Sequence, residues 1–96
     1  MRVFITEAAE QDLAGIYAHY SGRSGASAGH VLGTILRAIN GLAQFPYMGR
    51  SGAVPETRER VVSRYPYRIV YRVDYTNQIV EVWRVVRRAY RWPPEE

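Results

Sequence analysis

The sequence predicts an α+β fold: an N-terminal strand, an antiparallel two-helix hairpin, then a three-stranded antiparallel meander whose sheet the helices cover on one face. Three observations carry this expectation. Apolar residues recur at steps of three and four through the first half of the chain, which is the period of a helix face. In the second half they alternate with polar residues, the period of a strand. The 96 residues suffice for one core and not for two, so both patterns must pack together in one domain, 1–96, with 93–96 expected as a mobile tail.

Val3-Phe4-Ile5 is a short β-branched and aromatic run, read as a strand. Thr6 is a good N-cap, and Glu7 and Glu10 sit in the first turn, where the helix dipole favours anions. Ala9, Leu13, Ile16, Tyr17 and Tyr20 then form one apolar stripe on a helix of about 14 residues. Ser21-Gly22-Arg23-Ser24-Gly25 breaks it. A second helix is expected to begin near Ser24 or Ser27, with Leu32, Ile35, Leu36, Ile39 and Leu42 as its core stripe. It should end before Phe45-Pro46, because the residue preceding proline resists helical geometry. The short connection makes the helices antiparallel neighbours.

From Pro46 to Thr57 the chain is punctuated by Gly49, Gly52 and Pro55 and is read as a loop. Strands are predicted over 58–64, 67–74 and 79–86, the last two joined as a hairpin through Tyr75-Thr76-Asn77-Gln78. The middle strand alternates, with Tyr67, Ile69, Tyr71 and Val73 on one face and Arg68, Val70 and Arg72 on the other. The sheet face away from the helices is therefore expected to be free for arginines.

Composition narrows the function classes. With 47% hydrophobic and 23% charged residues the chain is that of a folded domain rather than a disordered one. No apolar run approaches the roughly 20 residues that span a bilayer, and the start of the chain turns polar at Thr6-Glu7, unlike a secretory signal. The expected location is the cytoplasm. The absence of cysteine excludes disulfides, thiolate nucleophiles and cysteine-based zinc sites. All thirteen basic residues are arginine, so no lysine general base is available. Their placement is uneven. Residues 1–49 balance three Arg against three acids, whereas residues 50–92 set ten Arg against four, a net +6. An anionic partner for the second half follows, either nucleic acid or an acidic protein segment.

Of the chemistry-bearing residues, His19 and His30 lack a second ligand at helical spacing, so no metal or other cofactor is expected. Glu7, Glu10 and Asp12 are read as dipole complement and solvated face. Gly49-Arg50-Ser51-Gly52 is too short for a phosphate loop and is read as a turn. Arg58, Arg60, Arg64, Arg68, Arg72, Arg84, Arg87, Arg88 and Arg91 interleave with Tyr65, Tyr67, Tyr71, Trp83, Tyr90 and Trp92. Two readings stand: a solvated basic sheet face, or a groove where arginines hold phosphates or carboxylates and aromatics stack or anchor.

Nearly the whole chain resembles the RelE/ParE toxin superfamily, and most of all its ParE branch. The matching pieces are Thr6-Glu7-Ala8, Asp12-Leu13 with Ile16-Tyr17, Leu42-Ala43-Gln44-Phe45-Pro46-Tyr47-Met48-Gly49-Arg50 and Val54-Pro55-Glu56-Thr57-Arg58-Glu59. Pro66-Tyr67-Arg68-Ile69-Val70-Tyr71-Arg72-Val73, Trp83-Arg84-Val85 and Arg91-Trp92-Pro93 follow in order. The resemblance implies a type II toxin, of the kind tied to plasmid stabilisation, neutralised by a ParD-like antitoxin that docks across helices and sheet. Leu13, Tyr17, Tyr20, Arg58, Arg60 and Arg68 are the expected antitoxin contacts. ParE-type toxins act on DNA gyrase, which implies target contacts at Arg84, Arg87, Arg88, Tyr90, Arg91 and Trp92 and no bond-breaking chemistry.

The RelE branch, which cleaves mRNA on the ribosome, gives the alternative reading. Its pattern maps partly here, onto Arg58, Arg60, Arg68 and Arg88, while Tyr90 matches its tyrosine poorly. No histidine follows the last predicted strand. Arginine can steady a phosphorane, but with its high pKa it is ill suited to deprotonate a 2′-hydroxyl. The missing base favours gyrase inhibition over the nuclease. A small basic RNA-binding domain is the remaining, non-toxin reading.

Overall fold

The structure is a computed structural model that describes residues 1–23 and 27–94. Its elements are β1 (Arg2–Ile5), α1 (Glu7–Ser21), α2 (Ala28–Gln44), β2 (Arg50–Ser51), β3 (Thr57–Val61), β4 (Tyr67–Asp74) and β5 (Ile79–Arg87). The strands form one five-stranded sheet in the order β1-β5-β4-β3-β2. The α+β class matches the expectation, and two details differ. The sheet is mixed, because β1 pairs parallel with β5. The predicted 46–57 loop also contains β2, a two-residue edge against Arg58 and Glu59. Two residues are too few to carry a periodic signal.

Both helices start where their side chains cap them. Thr6 Oγ1 accepts from the Ala9 N–H at 3.2 Å, and Ser27 Oγ accepts from the His30 N–H at 3.2 Å. The alternative start at Ser24, and part of the break around it, lie outside the described residues. α2 ends at Gln44, ahead of Phe45-Pro46. Ala9, Leu13 and Ile16 of α1 meet Val31, Ile35, Ile39 and Leu42 of α2 in one core with Ile69, Tyr71, Val80, Val82 and Val85. The stripe on α2 is therefore centred on Val31 and Ile35, with Leu32 and Leu36 at its border. Burying such a side chain stabilises by about 1.5–3 kcal/mol, which makes this sandwich of helix stripe and sheet face the main source of stability.

β3 ends at Val61, short of the expected Arg64. The backbone of Arg64 is left-handed, with φ 78°, and belongs to the turn into β4. In the β4–β5 hairpin Val70 pairs with Arg84 but Tyr71 pairs with Val82, so Trp83 is an extra, bulged residue. The bulge lets Val82 and Val85, three apart, both reach the core.

The largest departure lies on the sheet face away from the helices. Tyr67, Ile69 and Tyr71 point into the core as expected, but Arg68 and Val70 on the other face are buried as well. The reason is the chain after β5. Tyr90 N–H donates to Arg87 O at 2.9 Å in a turn, and Trp92 packs edge-to-face on Trp83, 6.4 Å between centroids. This C-terminal strap, residues 88–92, returns over the face that alternation alone would leave open. Of the expected tail, Glu95 and Glu96 lie outside the described residues.

Candidate functional site

Register decides which arginines share a surface. Arg58 pairs with Tyr71 and Arg60 with Ile69, both core residues, so Arg58 and Arg60 stand on the helix side of the sheet. Arg58 donates to Gly49 O at 2.8 Å and lies over the Tyr47 ring at 5.1 Å. Arg60 donates to Ala38 O on α2. Arg68 and Arg72 stand on the opposite side. Arg72 lies 3.4 Å from Glu81, and Arg68 forms a buried pair with Glu59. The arginines of β3 and β4 are thus divided between two faces and engaged with protein acceptors, not gathered on one free face.

Arg68 links the sheet to the strap. Its two terminal nitrogens donate to Glu59 Oε1 and to Tyr90 O, and its Nε is buried without a partner. Glu59, only 5% exposed, also accepts the Ala53 N–H at 3.3 Å. Arg88 N–H donates to Pro66 O at 2.7 Å, which fixes the point where the strap leaves the ladder.

The remaining predicted target residues lie along this strap or where it begins. Arg87, Arg88, Tyr90 and Arg91 are exposed, while Trp92 is half-buried against Trp83. Arg87 lies over the Tyr67 ring at 5.8 Å. Arg84 stands apart from the exposed group. Its guanidinium is gripped by Asp12 at 2.7 and 3.0 Å, and that hydrogen-bonded carboxylate raises its pKa further. Asp12 therefore is not the solvated helix-start residue its position suggested. It covers β5 where β1 has ended and the Val85 N–H would otherwise lack an acceptor. Between α1 and the end of β5 a cleft of about 420 Å³ is lined by Asp12, Gly15, His19, Arg87 and Tyr90.

The expected antitoxin contacts fare unevenly. Tyr17 is exposed at 49%, and Arg58 and Arg60 are half-buried. Tyr20 is half-buried among Tyr65 and Tyr67, while Leu13 and Arg68 are buried. Leu13 belongs to the core stripe and offers no surface to a partner in this fold.

Sequence reasoning missed Glu59 and Asp12. Glu59 alternates with Arg58 and Arg60, which marks it for the other face, where Arg68 of the adjacent strand also points. That cross-strand charge match was the available signal. His19 meets the edge of Tyr20 at 5.0 Å, and among the described residues no three His, Asp or Glu gather as a metal site would require. Burial, with Tyr20 beside it, pushes the Tyr67 hydroxyl up to about 12, so it stays protonated at neutral pH and cannot serve as a base.

Residues 3–92 match the model of the ParE toxin of type II toxin–antitoxin systems, parDE. The chain belongs to the ParE toxin family. A solved ParDE toxin–antitoxin system from P. aeruginosa aligns with a TM-score of 0.80 and 27% identity, over 91% of this chain and 95% of that one. The RelBE2 complex of Mycobacterium tuberculosis shares the fold at a TM-score of 0.66, with 22% identity over 91% of this chain and 96% of the other. Y4kP of Sinorhizobium fredii, a toxin candidate, is 36% identical over 67 residues, 70% of this chain and 67% of its own. No helix among the described residues of this ParE family member is long and apolar enough to cross a membrane.

Proposed function

We propose that this ParE family member inhibits DNA gyrase in the cytoplasm, contacting it through the segment Arg87 to Trp92, and is held inactive by a ParD-like antitoxin. It acts by binding, stabilising a gyrase–DNA state rather than making or breaking a bond itself. The observation that carries this reading is the division of the arginines. A ribosome-dependent nuclease would need Arg58, Arg60, Arg68 and Arg88 around one phosphate, yet Arg58 and Arg60 stand on one face and Arg68 on the other. Each of these three is already bonded to a protein acceptor. Four arginines, protonated throughout the neutral range, also give this set no base for the 2′-hydroxyl. Arg87, Arg88, Tyr90 and Arg91 are instead consecutive or nearly so and exposed, which suits docking to an anionic surface.

The antitoxin follows from the family and from the ParDE and RelBE neighbours, whose solved forms are toxin–antitoxin complexes. Exposed Tyr17 and half-buried Tyr20, Arg58 and Arg60 are the part of the expected contact set that still offers surface to a partner.

Purified protein tested in gyrase supercoiling and DNA-cleavage assays, and in a translation reaction read by primer extension, separates the two branches. Inhibited supercoiling with intact mRNA is expected. Ribosome-dependent mRNA cuts with unaffected gyrase would replace this reading with the nuclease.

A further inference from the structure

We infer that Arg68, held in place by Glu59, is a positioning residue for the target-contacting strap. The inference rests on the proposal that residues 87–92 meet the target.

The first observation is connectivity. Glu59 sits on β3, Arg68 on β4, and Tyr90 beyond β5, so one guanidinium ties three segments that are remote in sequence. Arg88 N–H on Pro66 O fixes the strap at its start, and Trp92 against Trp83 fixes it at its end. The bond from Arg68 to Tyr90 O lies between them. It ties the middle of the strap to the sheet through a side chain.

The second is economy of stability. A buried ion pair contributes little net stability, because desolvating two charges offsets most of their attraction. This pair is also incompletely satisfied, with Arg68 Nε buried and unpartnered. Two apolar side chains would fill the same space without that penalty. A planar fork able to bond a carboxylate and a backbone carbonyl at once is what apolar residues cannot replace. The geometry therefore serves placement of the strap, with Glu59 orienting the fork.

Two variants test this. Arg68→Lys keeps a charge beside Glu59 but loses the fork that also reaches Tyr90 O. The double variant Glu59→Leu/Arg68→Met removes the tether and leaves no unpaired buried charge. Native-state amide exchange is read at Arg88 and Tyr90 against the β4 amide of Ile69, with gyrase supercoiling as the second readout. At least tenfold faster exchange at Tyr90, with Ile69 unchanged and inhibition weakened about tenfold, is the expected result in both variants. Unchanged exchange at Tyr90 in a folded double variant would overturn the inference. Faster exchange with full inhibition would leave Arg68 as the tether but overturn its role in presenting the strap and, with it, the target contact. If the wild-type protein leaves gyrase untouched, the exchange readout still decides the tether.

Discussion

Asp12 and Arg84, seventy-two residues apart in sequence, form the seam between the first helix and the last strand. Both carboxylate oxygens meet the guanidinium, at 2.7 and 3.0 Å, and Oδ2 also takes the Val85 N–H at 2.9 Å. Three hydrogen bonds converge on one partly buried side chain where β1 no longer covers β5. Replacing Asp12 with Ala strands a backbone donor and a half-buried cation together. A loss of about 2–4 kcal/mol is expected, measured by urea unfolding. Asp12→Asn should cost less, since the amide oxygen still accepts from Val85. A double-mutant cycle with Arg84→Met should give a coupling of at least about 1 kcal/mol.

Tyr71 and Gly49 make a second, tighter fit. The Tyr71 hydroxyl accepts from the Gly49 N–H at 2.8 Å and donates to Pro46 O at 2.7 Å, anchoring the 46–49 loop that carries Tyr47. A Cβ on residue 49 would stand 2.7 Å from that hydroxyl and 2.8 Å from Glu59 O. Gly49→Ala must therefore push the loop off the sheet, at an expected cost of about 2–3 kcal/mol. Tyr71→Phe leaves both loop groups unsatisfied and should cost about 1–3 kcal/mol by the same measurement.

Tyr67 gives a pH prediction. Its pKa is raised to about 12, chiefly by burial, from an ordinary value of 10.0. A raised folded pKa means that the stabilisation is complete below pH 10 and is lost as pH climbs toward 12. Stability should therefore fall across that window, and Tyr67→Phe should flatten the fall. Spectrophotometric titration should show one late-ionising phenol missing from that variant. An unaltered titration curve would contradict the assignment.

Asp74 acts at the other end of the scale. Hydrogen bonds from Asn77, side chain and backbone, hold its carboxyl below the ordinary 3.8. Its depressed pKa stabilises the β4–β5 turn above that value, and the contribution disappears as pH falls through the folded pKa. The Asn77 amide resonance should move in acid with a midpoint below the ordinary Asp value. Asp74→Asn should abolish the movement.

Much of the fold was legible because its periods are strong. Thr6 and Ser27 as caps, Phe45-Pro46 as a stop and the alternation through Tyr67–Asp74 each state a local physical preference. What stayed hidden depends on contacts between distant segments. Alternation assigns Arg68 to a face but does not reveal that the chain beyond β5 folds back over it. Composition marks Asp12 as an acid in an early helical turn, yet its partner becomes apparent only once β1 is seen to end at Ile5. Composition marks the second half of the chain as arginine-rich but does not say which arginines share a surface. Their division between the helix side, the strap-covered side and the strap itself follows from register, which no single segment encodes.

On the proposed reading the exposed Arg87 and Arg88, rather than the arginines of β3 and β4, meet the target. The most direct test is gyrase supercoiling by a Arg87→Glu/Arg88→Glu variant beside an Arg58→Gln/Arg60→Gln variant, each matched to wild type by circular dichroism. At least tenfold weaker inhibition is expected from the first, with inhibition by the second within about twofold of wild type when compared at equal folded concentration. Full inhibition by the strap variant and loss in the strand variant would contradict that reading.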